Sequence, residues 1–317
     1  MSSTSPSDTS HRNIAAPTAD EAARALVNLV STLLISLTLV ACGGDSATAP
    51  DAGTIKPPEH LLLGDQVLNI AHRGGALLAP EETMPAFEAA VLAGVDVLEM
   101  DTRSTKDGVI VLLHDAEVDR TTNGSGLISE MSYAEVLELD PAYHFSTDGG
   151  ASFPLRGTGI KIARLRDVLE GFPQMLFSIE IKDSTIDEDV LDIVLDLGLQ
   201  DRVVIASFND PTLRRVRNSH PEILTTLTVA ESLTFARLTV ADEASYEPPA
   251  WILHTPPSFG DVVVDEELSA RADRFGIKIQ VWTVNEESEM RSLLNAGVHG
   301  IMSDDPVTLQ RVLDSTM

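Results

Sequence analysis

Between Asn69 and Asp115 the chain gathers two histidines, His72 and His114, one arginine beside the first of them, Arg73, and the acids Glu99 and Asp101, each next to an apolar run. Buried strands are normally apolar, so ionisable groups at their ends need a reason. Further on, "SIEIK" sets Glu180 and Lys182 two residues apart, on one face of another strand-like run. Three carboxylates converging at one rim repel one another unless a cation sits between them. Oxygen-only ligands suit a hard ion, so Glu99, Asp101 and Glu180 are candidate ligands for one divalent metal, Mg²⁺ or Ca²⁺. Histidines flanking that ion can serve as general acid and general base. Arg73 and Lys182 supply the positive charge an anionic phosphate needs. Together these groups describe cleavage of a phosphodiester.

Each residue also has a plainer reading. A lone His72 or His114 would be a buried histidine bonded to backbone. Glu99 and Asp101 could pair with Arg73 or Arg103, and Lys182 with a neighbouring acid. It is the whole set that favours chemistry. Trp282 stands level between a core position and a packing surface for substrate, and Phe208 and Phe145 are weaker versions of the same choice. His11, His60, His144, His220 and His254 match no chemistry and are expected in loops or at the surface.

The elements that must position these groups are legible as apolar runs alternating with helical patterns. Strands are expected at 66–72, 95–101, 175–181, 202–208, 223–229, 250–255, 277–284 and 300–303. Met84, Phe87 and Val91 share a helix face that Thr83 can cap and Gly94 can end, and residues 286–296 stop before Gly297 in the same way. Strands separated by helices imply parallel βαβ units, and eight of them imply an α/β fold of the TIM (β/α)8 barrel type, with the site at the carboxyl ends of the strands. One run breaks the pattern. Residues 109–115 follow strand two too closely for a crossover helix, so the two form a β-hairpin. With Asp107-Gly108 as a two-residue turn, opposed residue numbers sum to 215 and Asp101 faces His114.

Composition bounds the alternatives. Among 317 residues, 49 acids oppose 22 bases, a formal net charge of -27, which excludes a nucleic-acid binder that needs a basic face. The hydrophobic content of 43% suits a globular chain with a sizeable core. Cys42 is the one cysteine, so no intrachain disulfide and no cysteine zinc cluster can form. It follows an apolar run at 25–40, too short to span a bilayer comfortably but suited to a signal sequence. "LVAC" at 39–42 resembles a bacterial lipobox, which implies a lipoprotein-type signal peptide at 1–41, acylation of Cys42 and a flexible tether over 42–59. The folded part is expected at 60–317. Gly43 and Gly44, with no Asp at the second position, direct such a lipoprotein to the periplasmic face of the outer membrane.

The ordered motifs carry a family resemblance over about 70–317. His72-Arg73-Gly74, Pro80-Glu81-Glu82-Thr83, Glu99-Met100-Asp101, His114-Asp115 and "DRTTNGSG" at 119–126 are similar to the signature of the glycerophosphodiester phosphodiesterases. "EIK" at 180–182, "VWTVN" at 281–285 and "GVHGIMSDDP" at 297–306 extend the likeness. The resemblance implies a barrel with an insertion after the HD motif, here about 116–159. It implies a divalent metal on Glu99, Asp101 and Glu180, His72 and His114 as the acid/base pair, and Arg73 and Lys182 on the phosphate. It further implies a small-molecule glycerophosphodiester substrate, released as glycerol 3-phosphate and an alcohol. Glu82 departs from the usual Asn, which puts an extra acid near the metal. His299 and Ser303 replace the usual Asp and Thr. Rival readings are phospholipase D-like action on lysophospholipids or sphingolipids, and a non-catalytic lipoprotein that binds phosphodiesters.

Overall fold

The structure is a computed structural model and describes residues 56–316. The signal peptide, Cys42 and most of the expected tether lie outside the described residues. All that follows concerns one compact unit, which among the described residues runs to Ser258 and resumes at Val262. No helix among the described residues is long and apolar enough to cross a membrane.

Eight parallel strands form the expected barrel. They are β1 (Leu68–Ala71), β2 (Val97–Ser104), β4 (Leu176–Ile181), β5 (Val203–Ala206), β6 (Leu224–Thr225), β7 (Ile252–Thr255), β8 (Lys278–Val281) and β9 (Gly300–Ser303). A ninth, β3 (Ile110–Leu112), lies antiparallel to β2. The order is β6-β5-β4-β2-β1-β9-β8-β7, and a parallel bridge between Thr226 and Ile252 joins the two ends. Helices fill the crossovers, among them Met84–Leu92, Asp187–Asp196, Asp210–Ser219 and Glu287–Asn295, and Pro306–Asp314 follows the last strand. Thr83 takes the cap position of the first, but its hydroxyl donates to the Pro80 carbonyl instead of capping. Gly94 and Gly297 stand just beyond two helix ends with φ of 80° and 84°, as a left-handed terminus requires.

The period of two in β2 and β4 sets which side chains can do chemistry. Leu98, Met100, Phe177, Ile179 and Ile181 point outward and pack under the helices in the larger core. Val97 and Leu176 point inward and pack with Leu68, Ile70, Val204, Ile252 and Met302 inside the barrel. Glu99 and Asp101 share the parity of Val97, and Glu180 that of Leu176. The acids therefore crown the inner packing layer.

The hairpin is present but its expected register is corrected. Thr102 pairs with Leu112, Arg103 with Val111 and Ser104 with Ile110, and the Leu113 amide donates to the Asp101 carbonyl at 2.9 Å. Asp101 thus faces Leu113, not His114. The cause is the turn. Thr105 N–H bonds Val109 O at 3.0 Å, leaving a three-residue connection, Lys106-Asp107-Gly108, with Gly108 at φ 83°. Three-residue hairpin loops are closed by a left-handed residue, which Gly108 supplies. Thr105 Oγ1 donates to Asp107 Oδ1 at 2.7 Å and accepts the Val109 amide at 3.0 Å, which favours the longer loop.

Since a Cβ at Gly108 would meet nothing within 4 Å, a substitution there costs backbone strain alone. Gly108→Val is expected to lower stability by about 1–2 kcal/mol, the penalty for a left-handed L-residue. Urea unfolding monitored by circular dichroism measures it, and an unchanged midpoint would exclude this turn.

Candidate active site

His72, Arg73 and Gly74 leave the end of β1 as a tight turn in which Arg73 has φ 51° and Gly74 φ 78°. The strand expected at 66–72 ends one residue sooner: β1 stops at Ala71 because the chain turns left-handed here. Gly74 is required twice over. Its φ is unfavourable for other residues, and a Cβ would come within 3.0 Å of the Phe87 ring. The turn points the Arg73 amide at Glu99 Oε2, 2.8 Å away. β2 and β4 then bring Asp101 and Glu180 side by side as register partners. His114 reaches the same rim from the end of the hairpin, its carbonyl gripped by Arg103 Nε and Nη2 at 3.0 and 2.8 Å.

The three acids converge as expected: carboxylate oxygens of Glu99, Asp101 and Glu180 all lie within 4.8 Å of one another. Asp101 is 1% exposed. Its Oδ1 lies 3.1 Å from Lys182 Nζ, which also meets Glu180 Oε1 at 2.8 Å. Its Oδ2 is 3.3 Å from Arg73 Nε, yet buried with no hydrogen-bond partner. A buried carboxylate oxygen with a free lone pair, facing two more acids, fits a hard cation. Lys182 is thus tied to the acids in the resting site, and Arg73 lies between Asp101 and Glu81, with Nη1 to Glu81 Oε1 at 3.0 Å.

Electrostatics separates the acids. Burial, and then the Asp101 charge, push the Glu99 carboxyl up to about 7. Burial also raises Glu180, partly offset by Lys182. Asp101 goes the other way: burial would raise it, but Lys182 and Arg73 outweigh that and hold it ionised. Lys182 stays firmly charged against its burial because Asp101 and Glu180 face it.

The histidines differ as well. His72 Nδ1 bonds Asp304 Oδ1 at 2.7 Å, and Asn285 Nδ2 holds the other Asp304 oxygen at 2.8 Å. Burial lowers His72, but Asp304 and Glu99 outweigh it and the net shift is upward. His114 Nδ1 bonds Asp115 Oδ1 at 2.9 Å, yet burial, with Lys182 and Arg73 behind it, wins and the net shift is downward. Each Nδ1 faces a carboxylate, which only accepts, so each Nδ1 is the donor.

Trp282 takes the core half of its expectation. It packs on the apolar layer inside the barrel, and its ring meets Phe208 edge-on at 5.8 Å. Phe208 is 61% exposed and lies 5.8 Å from Lys182 Nζ. A cavity of about 310 Å³ opens there, lined by Glu180, Ile181, Lys182, Ser207, Phe208 and Asn209. Phe145 lies away from it, in a second cavity with Glu81 and Arg120. One expectation fails: His254 is no surface residue. It sits in β7 opposite Gln280 of β8, bonds its side chain at 2.8 Å, and burial pushes it down to about 4. Spacing alone also missed Asp304, Asn285, Asp115, Glu81 and Arg120, although all five fall inside the quoted motifs.

A parallel barrel with acids, imidazoles and cations at one rim fits a phosphoric diester hydrolase, and comparison with known proteins bears this out. The glycerophosphoryl diester phosphodiesterase family matches residues 72–308. A glycerophosphodiester phosphodiesterase of Caldanaerobacter subterraneus subsp. tengcongensis is 34% identical over 251 residues, covering 77% of this chain and 96% of that one. A lysophospholipase D of Rattus norvegicus is 27% identical, over 78% of this chain and 86% of its own. Among solved structures, a phosphodiesterase from Oleispira antarctica, in complex with the product sn-glycerol-3-phosphate, superposes with a TM-score of 0.62 at 27% identity, covering 77% and 96% of the two chains. The chain is a phosphoric diester hydrolase and belongs to the glycerophosphoryl diester phosphodiesterase family.

The opposite shifts have a definite order. A raised histidine keeps its proton above the ordinary value of 6.5, and a lowered one has lost it below that value. Between the two, His72 is cationic and His114 neutral. NMR titration of the metal-free protein is expected to show His114 titrating before His72 as pH rises; the reverse order would contradict these environments.

Proposed function

We propose that this protein hydrolyses glycerophosphodiesters to sn-glycerol 3-phosphate and an alcohol. The observation that carries the reading is the meeting of Glu99, Asp101 and Glu180 beside His72, His114, Arg73 and Lys182 at one end of the barrel. A divalent cation, Mg²⁺ or Ca²⁺, held by the three acids would supply Lewis-acid polarisation of a phosphoryl oxygen. Neutral His114 accepts the proton of the nucleophile, which is water or the glycerol 2-hydroxyl of the substrate. Cationic His72, oriented by Asp304, protonates the departing oxygen. Arg73 and Lys182 offset the charge of the phosphate, and Trp282 with Phe208 offers an apolar wall to the organic part of the substrate.

Alanine at His72 or at His114 is expected to lower turnover of glycerophosphocholine by roughly 100- to 10,000-fold, the usual worth of a general acid or base. Chelation of divalent metal is expected to stop the reaction, with Mg²⁺ or Ca²⁺ restoring it. Near-normal turnover in either alanine variant would break the assignment. A second substrate class, lysophospholipids, is favoured by the exposed Phe208 beside the cavity and by the likeness to a lysophospholipase D. Choline release from lysophosphatidylcholine, set against glycerophosphocholine, separates the two.

The lipobox supports a location on the periplasmic face of a bacterial outer membrane, with Cys42 as the acylated residue. Cys42→Ala is expected to abolish labelling by radioactive palmitate and to move the protein from the membrane to the soluble fraction. Unchanged labelling would refute the anchor.

A further inference from the structure

The "DRTTNGSG" loop takes no part in the chemistry above, yet one of its side chains reaches it twice. Arg120 Nε donates to Asp115 Oδ2 at 2.5 Å. Its Nη1 and Nη2 donate to Glu81 Oε2 and Oε1 at 2.8 and 2.7 Å. Asp115 receives His114 on its other oxygen, and Glu81 Oε1 also receives Arg73. The result is a continuous chain of charged hydrogen bonds, His114–Asp115–Arg120–Glu81–Arg73, drawn from three separate segments. The loop that presents Arg120 is itself built: Thr122 is buried and bonds the Val118 carbonyl at 2.8 Å, and Asp119 Oδ2 accepts the Gly126 amide at 2.7 Å.

We propose that Arg120 is a positioning residue which holds the His114 ring and the Arg73 guanidinium in one frame across the substrate. The proposal rests on the function proposed above for its catalytic consequence, and on geometry alone for its structural one. Without Arg120, Asp115 keeps a single partner among these side chains and is free to turn the imidazole with it. Glu81 is then free to bind Arg73 with both oxygens and draw it away from a phosphate. The Arg120 side chain is 47% exposed, and ion pairs at such positions contribute little to stability. Its value therefore lies in orientation.

The test compares Arg120→Met and Arg120→Lys with the parent chain. Arg120→Met is expected to lower kcat/KM for glycerophosphocholine by about 10- to 100-fold, the usual effect of losing an orienting partner, at an unchanged melting temperature. Guanidinium ion in the buffer is expected to restore part of the loss, and Arg120→Lys to fall between. In ¹⁵N-imidazole NMR of the resting protein, the His114 Nδ1–H signal is expected to shift and exchange faster in either variant. That of His72, bonded to Asp304, stays put as the internal control. The NMR result decides the positioning even if the parent chain turns over none of the diesters tried, an outcome that would refute only the proposed function. An unmoved His114 signal overturns the proposal, as does an Arg120→Met enzyme with parental kcat/KM. Should the methionine variant fail to fold, the lysine variant carries the same NMR readout.

Discussion

Asp101 is where the electrostatics of this barrel has to be resolved. Its carboxylate is almost wholly buried, with Glu180 on the neighbouring strand and Glu99 two residues back. Two like charges about 4 Å apart near a protein surface repel by about 4 kcal/mol at an effective dielectric of about 20. Three acids cannot all ionise at that cost without cations among them. Arg73 and Lys182 supply part of the compensation, and burial drives Glu99 and Glu180 towards their neutral forms for the remainder. Such a balance fits a divalent cation, because an ion of that charge would let all three acids ionise together. Arg73 and Lys182 are joined to this balance in the resting site, and in the proposed function the same two cations would face an incoming phosphate.

That balance depends on strand register. Asp101 sits beside Glu180 because β2 and β4 pair in parallel with Val97 opposite Leu176 and Thr102 opposite Ile181. A slip of one residue would turn Met100 inward and Asp101 out under the helices. The apolar parity of Leu98, Met100, Phe177 and Ile179 forbids it, since those side chains fill the larger core. Packing on one face of the sheet therefore fixes the chemistry on the other.

Much of this was legible in sequence because it is periodic. The alternation of Glu99 and Asp101 with apolar neighbours placed them on one face, and the expected strand at 300–303 coincides with β9. Features closed by a distant partner were not legible. The hairpin register went wrong by one because Thr105 and Asp107 build a longer turn than Asp107-Gly108 suggests. The expected strand at 223–229 shrinks to Leu224–Thr225, since Thr228 is drawn into a capping box with Glu231. His254 is half-buried in β7 because Gln280, 26 residues away, satisfies its ring. The carboxylates behind the two histidines were missed for the same reason in the case of Asp304, which is 232 residues from His72. Asp115 was adjacent to His114 all along, but nothing in its spacing showed that Arg120 fixes its other oxygen.

Glu82 shows how a departure from a family pattern can be absorbed. Its backbone has φ 60°, a left-handed conformation that Asn tolerates far better than Glu, in keeping with the Asn usual at this position. The local structure over-determines the turn nonetheless: the Glu82 amide donates to the Arg73 carbonyl, and its own carbonyl accepts from Ala163. Glu82 Oε1 accepts the Asp101 amide at 2.9 Å, a role an amide oxygen fills equally well. The remaining oxygen is buried without a partner. Burial first, then the charges of Asp101 and Glu99, hold this carboxyl well above the usual range and favour its neutral form. A neutral carboxyl has the hydrogen-bonding shape of an amide on its accepting side, so the count of acids overstates the charge. Glu82 therefore steadies the backbone of Asp101 from behind, outside the group of three whose oxygens converge.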